Sequence, residues 1–141
     1  MSAEPPPLDD AEYQGLARFR HALRAFVRFS EQAARAAGLT PAQHQLLLAV
    51  RGCEQGPPAP MAVVAEMLQL RLHSVVELAD RAEARGLIER VVDPEDHRRV
   101  LLTLTREGQA KLAELSVLHR DELRRFRTVM GPLLDAFDDG E

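Results

Sequence analysis

A dense concentration of charged side chains in this chain is the run Asp93-Pro94-Glu95-Asp96-His97-Arg98-Arg99, set between two apolar stretches. Proline fixes φ and aspartates bond to nearby backbone, so the run reads as a turn carrying carboxylates beside arginines. Such a turn can grip anions, and its acids can orient its guanidiniums. Enzymatic readings find no support. There is no G-x-S-x-G, no phosphate-cradling glycine loop and no H-E-x-x-H. The histidines His21, His44, His73, His97 and His119 lack ligand spacing, so neither a structural zinc site nor a cofactor is expected. Cys53 is the single cysteine, which rules out an intramolecular disulfide; a buried, inert thiol is expected. Binding, not catalysis, is the chemistry these residues suit.

The elements that must position this turn lie around it. Met61 to Leu68 carries Val64, Ala65 and Leu68 at helical spacing, which predicts a short helix. A tight connection, Gln69 to Arg71, leads to a second helix, Leu72 to Arg85, with Val75, Leu78, Ala79 and Ala82 on one face. Gly86 ends it, because glycine accepts the left-handed conformation of a helix C-cap. Leu87 to Val92 and Val100 to Leu104 are β-rich and predict a hairpin with its tip at Asp93 to Arg99. Two helices followed by such a hairpin are the order of a helix-turn-helix with a wing.

The segment GLIERVVDPEDHRRVLLTLTREG, from Gly86 to Gly108, resembles the wing signature of MarR-family transcriptional regulators. Gly86, Leu87 and Arg90 match its GL-x-x-R opening, Asp93, Pro94, Asp96 and Arg98 its D-P-x-D-x-R turn, and Leu104, Thr105 and Gly108 its L-T-x-x-G close. The resemblance continues more weakly over nearly the whole chain. It implies a mostly α, α+β winged helix: a helix-turn-helix core over 40–105, with dimerisation helices over 9–37 and 106–141. The whole, 9–141, is expected to be a single domain.

In a helix-turn-helix the first part of the second helix enters the major groove, which makes His73, Ser74 and Glu77 the best-placed readers of base edges. Ser74 could instead satisfy the helix N-terminus, and His73 could be an ordinary surface residue. Glu77 departs from the family's usual basic or polar residue. Phosphates repel it, yet it can accept from cytosine N4. Arg71 stands where the family has a small capping residue; it cannot cap, but it can contact phosphate. Arg81 and Arg85 are read as solvated or phosphate-facing. By resemblance Arg98 reaches the minor groove with Asp96 beside it, and arginine suits a narrow, negative groove. Arg99 is read as a phosphate contact. His97 replaces a common arginine and weakens the charge near neutral pH. Arg90 completes the expected wing set.

Net charge is −4, which by itself argues against a polyanionic partner. Its distribution matters more. Arg71 to Arg106 holds seven arginines against seven carboxylates, whereas Glu107 to Glu141 holds five basic residues against eight acidic ones. The acidic excess therefore sits outside the reading head. At 141 residues with few aromatics, the chain can bury one core of Leu, Val and Ala. It has no membrane-length apolar run and no signal-peptide pattern, so no membrane association and a cytoplasmic location are expected.

Met1 to Leu8 contains Pro5-Pro6-Pro7 and is expected to be a disordered tail. Asp9 and Asp10 are candidate caps of a helix running towards Ala37, roughly 40 Å long at ~1.5 Å per residue. Gly38 closes it. Thr40-Pro41 opens a helix to about Glu54, and Gly56 to Pro60 is expected to be a loop. Thr105 to Gly108 starts the last long helix, which Gly131-Pro132 is expected to break, leaving Leu133, Leu134 and Phe137 as a final apolar turn. Long terminal helices with one apolar face suit packing between chains, and the resemblance implies a homodimer.

The expected function is a transcriptional regulator, a repressor binding a pseudo-palindrome of double-stranded DNA. The family implies a small anionic or aromatic effector, for which no binding residues are assigned. The alternatives are a winged-helix module that binds protein, motivated by Glu77 and the near-neutral head, and a regulator switched by oxidation of Cys53.

Overall fold

The computed structural model describes residues 3–137. Their order is α1 (Asp10–Ala36), α2 (Pro41–Arg51), β1 (Ala59–Pro60), α3 (Met61–Leu68), α4 (Leu72–Ala84), β2 (Ile88–Val92), β3 (Val100–Leu104) and α5 (Arg106–Asp135). The tail expectation falls partly on Met1 and Ser2, outside the described residues; 3–8 carry no regular element. The acidic end, 138–141, also lies outside them.

Local chemistry accounts for most boundaries. Asp9, not Asp10, caps α1: its Oδ1 accepts from Glu12 N–H at 2.8 Å, and Glu12 Oε1 accepts from Asp9 N–H at 3.2 Å. Gly38 at φ +84° closes α1, and Leu39 N–H returns to Ala34 O. Thr40 and Gln43 form the same reciprocal box at the start of α2, with Pro41 in its first turn. Gly86 at φ +74° ends α4, with Leu87 N–H on Ala82 O. Gln69 supplies the left-handed turn after α3 at φ +54°, and its Nε2 donates to Glu66 O.

Three expectations are corrected. The second helix stops at Arg51, not near Glu54, because Gly52 has poor helix propensity and Cys53 turns into the core. Within the expected loop, Ala59 and Pro60 pair with Leu102 and Leu101 as an edge strand, where a missing N–H is tolerated. Gly131-Pro132 does not break α5, which continues to Asp135. Pro132 sits in its last turn, so the missing N–H removes one helical bond. Met130 is buried just before Pro132, and Ala136 N–H still returns to Pro132 O.

The described residues gather into two compact units, 31–118 and 3–30 with 119–137. The larger unit takes in more than 40–105. Ala34, Ala37, Leu39, Leu112 and Leu115 are buried in the same core as Leu46, Leu47, Val64, Val75 and Leu102. Its sheet has the order β1-β3-β2, antiparallel throughout. In the smaller unit Phe26 packs on Phe126 with ring centroids 5.1 Å apart, and His119 Nε2 lies 2.8 Å from Ser30 Oγ. A cavity of about 440 Å³ there is lined by Phe26, Phe126 and Val129, with Arg18, His21 and Arg125. No helix of the described residues is long and apolar enough to cross a membrane.

Candidate nucleic-acid interface

Burial of Val75, Ala79 and Ala82 decides which side of α4 faces out. His73, Glu77 and Arg81, at four-residue steps, lie exposed on the side away from that core. Ser74 is half-buried. Arg71 takes the N-cap position in an extended conformation with no side-chain cap bond, and it is exposed as a residue free to reach outward must be. Arg85 is exposed and has a side-chain tie within the fold. Its Nη1 donates to Gln43 Oε1 at 3.2 Å, tying the end of α4 to the capping box of α2.

The wing tip is built by its aspartates. Asp93 is buried; its Oδ1 accepts from Glu95 N–H at 2.9 Å, and its own N–H donates to Arg99 O at 3.1 Å. These bonds close the turn and hold Arg99, whose Nη1 lies 3.6 Å from Asp93 Oδ2. Arg98 and Asp96 form the next pair: Asp96 Oδ1 accepts from both the N–H and the Nε of Arg98, each at 3.1 Å. The hydrogen bond from the Arg98 side chain, then that from its backbone, hold the Asp96 carboxyl below its ordinary value. Yet the Arg98 side chain is 91% exposed, so the carboxylate orients the guanidinium without covering it. His97 is exposed beside it.

Arg90, expected with the wing's outward set, turns the other way. Its Nη2 pairs with Asp80 Oδ1 and also donates to Val76 O at 3.4 Å, while its Nε lies 3.9 Å from Glu83 Oε1. Its side chain is only 29% exposed. Asp80 and Glu83 were not singled out from the sequence. They stand ten and seven residues before Arg90, across a turn, and helical spacing rules link only residues three or four apart.

A cavity of about 280 Å³ opens where the starts of α3 and α4 meet the base of the wing, bordered by Arg98 and Arg99 and lined by Met61, Leu72 and Val76. The same unit therefore presents an outward helix face, exposed arginines and an oriented arginine on a projecting turn. Exposed guanidiniums on a projecting turn, beside an outward helix face, can meet anionic groups.

Comparison with known proteins agrees. Residues 37–99 match the family model described as MarR family. The HTH-type transcriptional repressor MdtR of Bacillus subtilis (strain 168) is 32% identical over 78 residues, 55% of this chain and 48% of that relative. The chain thus spans about half the length of the relative it matches. The crystal structure of AbsC, a MarR family transcriptional regulator from Streptomyces coelicolor, shares the fold with a TM-score of 0.73 at 20% identity, over 86% of this chain and 82% of AbsC. Bordetella bronchiseptica BpsR superposes with a TM-score of 0.66 at 25% identity, over 89% of this chain and 99% of BpsR. Residues 37–99 thus match the MarR family model, and the chain shares the winged helix-turn-helix fold of these solved structures.

Proposed function

We propose that this protein is a transcriptional regulator that binds double-stranded DNA as a homodimer and represses by occupying a pseudo-palindromic operator. The outward face of α4 reads the major groove through His73, Ser74 and Glu77, with Arg71 and Arg81 on phosphates. The wing inserts Arg98 into the minor groove, with His97 and Arg99 alongside. The observation that carries this reading is Arg98, almost fully exposed on the turn and pinned by Asp96. A preset guanidinium suits a narrow, negative groove, where each arginine must otherwise lose rotamer freedom on binding. A two-fold dimer would set two α4 helices about 34 Å apart, one DNA turn.

Release by a small anionic or aromatic effector belongs to the same proposal. BpsR, whose DNA binding is regulated by 6-hydroxynicotinic acid, supports it by likeness. Such a molecule would act by binding the DNA-competent and incompetent dimers with different affinity.

The test is selection of genomic fragments by the purified protein and by Arg98→Ala. The expected result is one inverted-repeat motif recovered by the wild type and lost in the variant, with affinity falling steeply as salt rises. A well-folded dimer that enriches no sequence would instead favour a protein-binding winged helix, the reading that the exposed Glu77 carboxylate on α4 supports.

A further inference from the structure

Arg90 is the one arginine of the wing whose guanidinium is turned inward. It rises from the middle of β2, opposite Leu102 of β3, and crosses to α4. There it meets Val76 O, Asp80 and Glu83. These three stand at i, i+4 and i+7, so they form a single stripe along the helix. The stripe that runs beside it is His73, Glu77 and Arg81. One planar cation thus spans two turns of α4 along the border of its outward face, while its own strand leads within three residues to Asp93, which closes the wing turn.

We propose that Arg90 is a positioning residue that fixes the angle between α4 and the wing, and that it makes no contact with DNA. The inference rests on the DNA-binding reading above and deepens it. Two readers on separate elements bind one duplex well only if their separation matches that of the major and minor grooves. The hydrogen bonds of Leu87 N–H to Ala82 O and of Thr105 Oγ1 to Gly86 O hold only the root of the hairpin, beside the left-handed Gly86. Arg90 stiffens the hairpin beyond that root, since its Nη2 is shared between Asp80 and the Val76 carbonyl while its Nε stands at ion-pair distance from Glu83. A planar guanidinium so placed defines a direction as well as a distance. Asp80 and Glu83 lie near a surface meant for phosphates, where free carboxylates would repel; Arg90 neutralises them and uses them as anchors.

The charges make the proposal testable. If Arg90 were a phosphate contact, its loss would lower the slope of log affinity against log salt by about 0.9. Freeing it from its acids with Asp80→Asn/Glu83→Gln would leave binding equal or tighter. A positioning residue gives the opposite pattern. Arg90→Gln should weaken binding of the selected operator by about tenfold, the scale on which members of one ion-pair network couple, with an unchanged salt slope. Asp80→Asn/Glu83→Gln should weaken it similarly, although two negative charges have been removed from the DNA-facing side. Arg90→Lys, which keeps the charge and loses the fork, should resemble Arg90→Gln.

Circular dichroism and sedimentation of each variant establish that fold and assembly are kept. Hydrogen exchange of the wing amides, measured without DNA, tests the brace directly: faster exchange in Arg90→Gln supports it, and unchanged exchange overturns it. A lowered salt slope in Arg90→Gln, or tighter binding by the double variant, also overturns it. Wild-type protein that binds no DNA while its wing amides respond to Arg90→Gln would defeat the DNA-binding reading and leave the brace standing.

Discussion

Asp96 Oδ1 receives two hydrogen bonds from Arg98, one from its backbone N–H and one from its Nε, both 3.1 Å long. A single carboxylate oxygen therefore sets the residue's backbone and its side chain together. Arg98→Ala is expected to weaken operator binding by about tenfold to a hundredfold and to lower the salt slope by about one. Asp96→Asn should give a smaller loss with the slope kept, because the cation remains and only its aim is relaxed. The sign of the pH effect follows from the direction of the shift. The folded carboxyl titrates below its ordinary value of 3.8, so its grip on Arg98 is complete above that value and is lost as pH falls through the lowered one. Between neutrality and about pH 5 the ratio of wild-type to Asp96→Asn affinity should stay constant. Fluorescence anisotropy across that range checks it, and a ratio that collapses within the range would refute it.

Glu77 stands exposed at the centre of the stripe formed with His73 and Arg81. Glu77→Ala is expected to tighten binding to arbitrary duplex, since a carboxylate is withdrawn from phosphates. It is also expected to erase a preference of about tenfold for cytosine at one operator position. Competition among single-base operator variants measures both. If the variant ranks the operators as the wild type does, Glu77 is merely tolerated there.

Thr105 and Gly108 join the wing to α5. Thr105 Oγ1 donates to Gly86 O at 2.6 Å and accepts from Gly108 N–H at 3.0 Å. A Cβ on Gly108 would stand 2.1 Å from Leu87 O, an approach that backbone cannot relieve by rotating a side chain. Gly108→Ala should therefore cost about 1–3 kcal/mol of stability by overpacking. Thr105→Ala should cost about 1 kcal/mol through loss of the cap. Urea denaturation gives both numbers. Gly131→Ala serves as the control, because a Cβ there meets open space.

Val27, Leu123 and Val129 are exposed apolar residues of the unit formed by 3–30 and 119–137. If a second copy covers them, as the homodimer proposal requires, Val129→Asp should halve the mass seen by sedimentation equilibrium and weaken operator binding with it. A monomeric wild type would count against the dimer, and an unchanged mass for the variant would place the interface elsewhere.

Cys53 is buried beyond the end of α2. It should react slowly with thiol reagents until the protein is unfolded, and Cys53→Ser should bind operator as the wild type does with or without peroxide. Loss of binding on mild oxidation, prevented by Cys53→Ser, would revive the thiol-switch alternative.

Much of the reading head is legible along the chain because the rules involved act over three or four residues. Gly38 and Gly86 mark helix ends through the left-handed conformation they accept, and Thr40-Pro41 marks a start. The periodicity of Val75, Ala79 and Ala82 assigns the buried side of α4, hence the outward placement of His73 and Glu77. The Asp-x-Arg spacing of Asp96 and Arg98 fits on one turn, so their pairing needs nothing beyond it.

Other features depended on distances between elements, which no local rule contains. Arg90 and Arg98 are equally basic in the sequence. Only the packing of β2 beside α4 puts Asp80 and Glu83 within reach of one, while the turn carries the other into solvent. Arg85, still exposed, reaches Gln43 only once α2 and α4 meet. Ala59-Pro60 becomes a strand because β3 offers it an edge, and α5 runs through Pro132 with Met130 packed in the turn before it. Residue types and spacing determined which side chains could bind an anion; the tertiary structure decided which of them are free to, because a guanidinium has one direction and takes the nearest carboxylate along it.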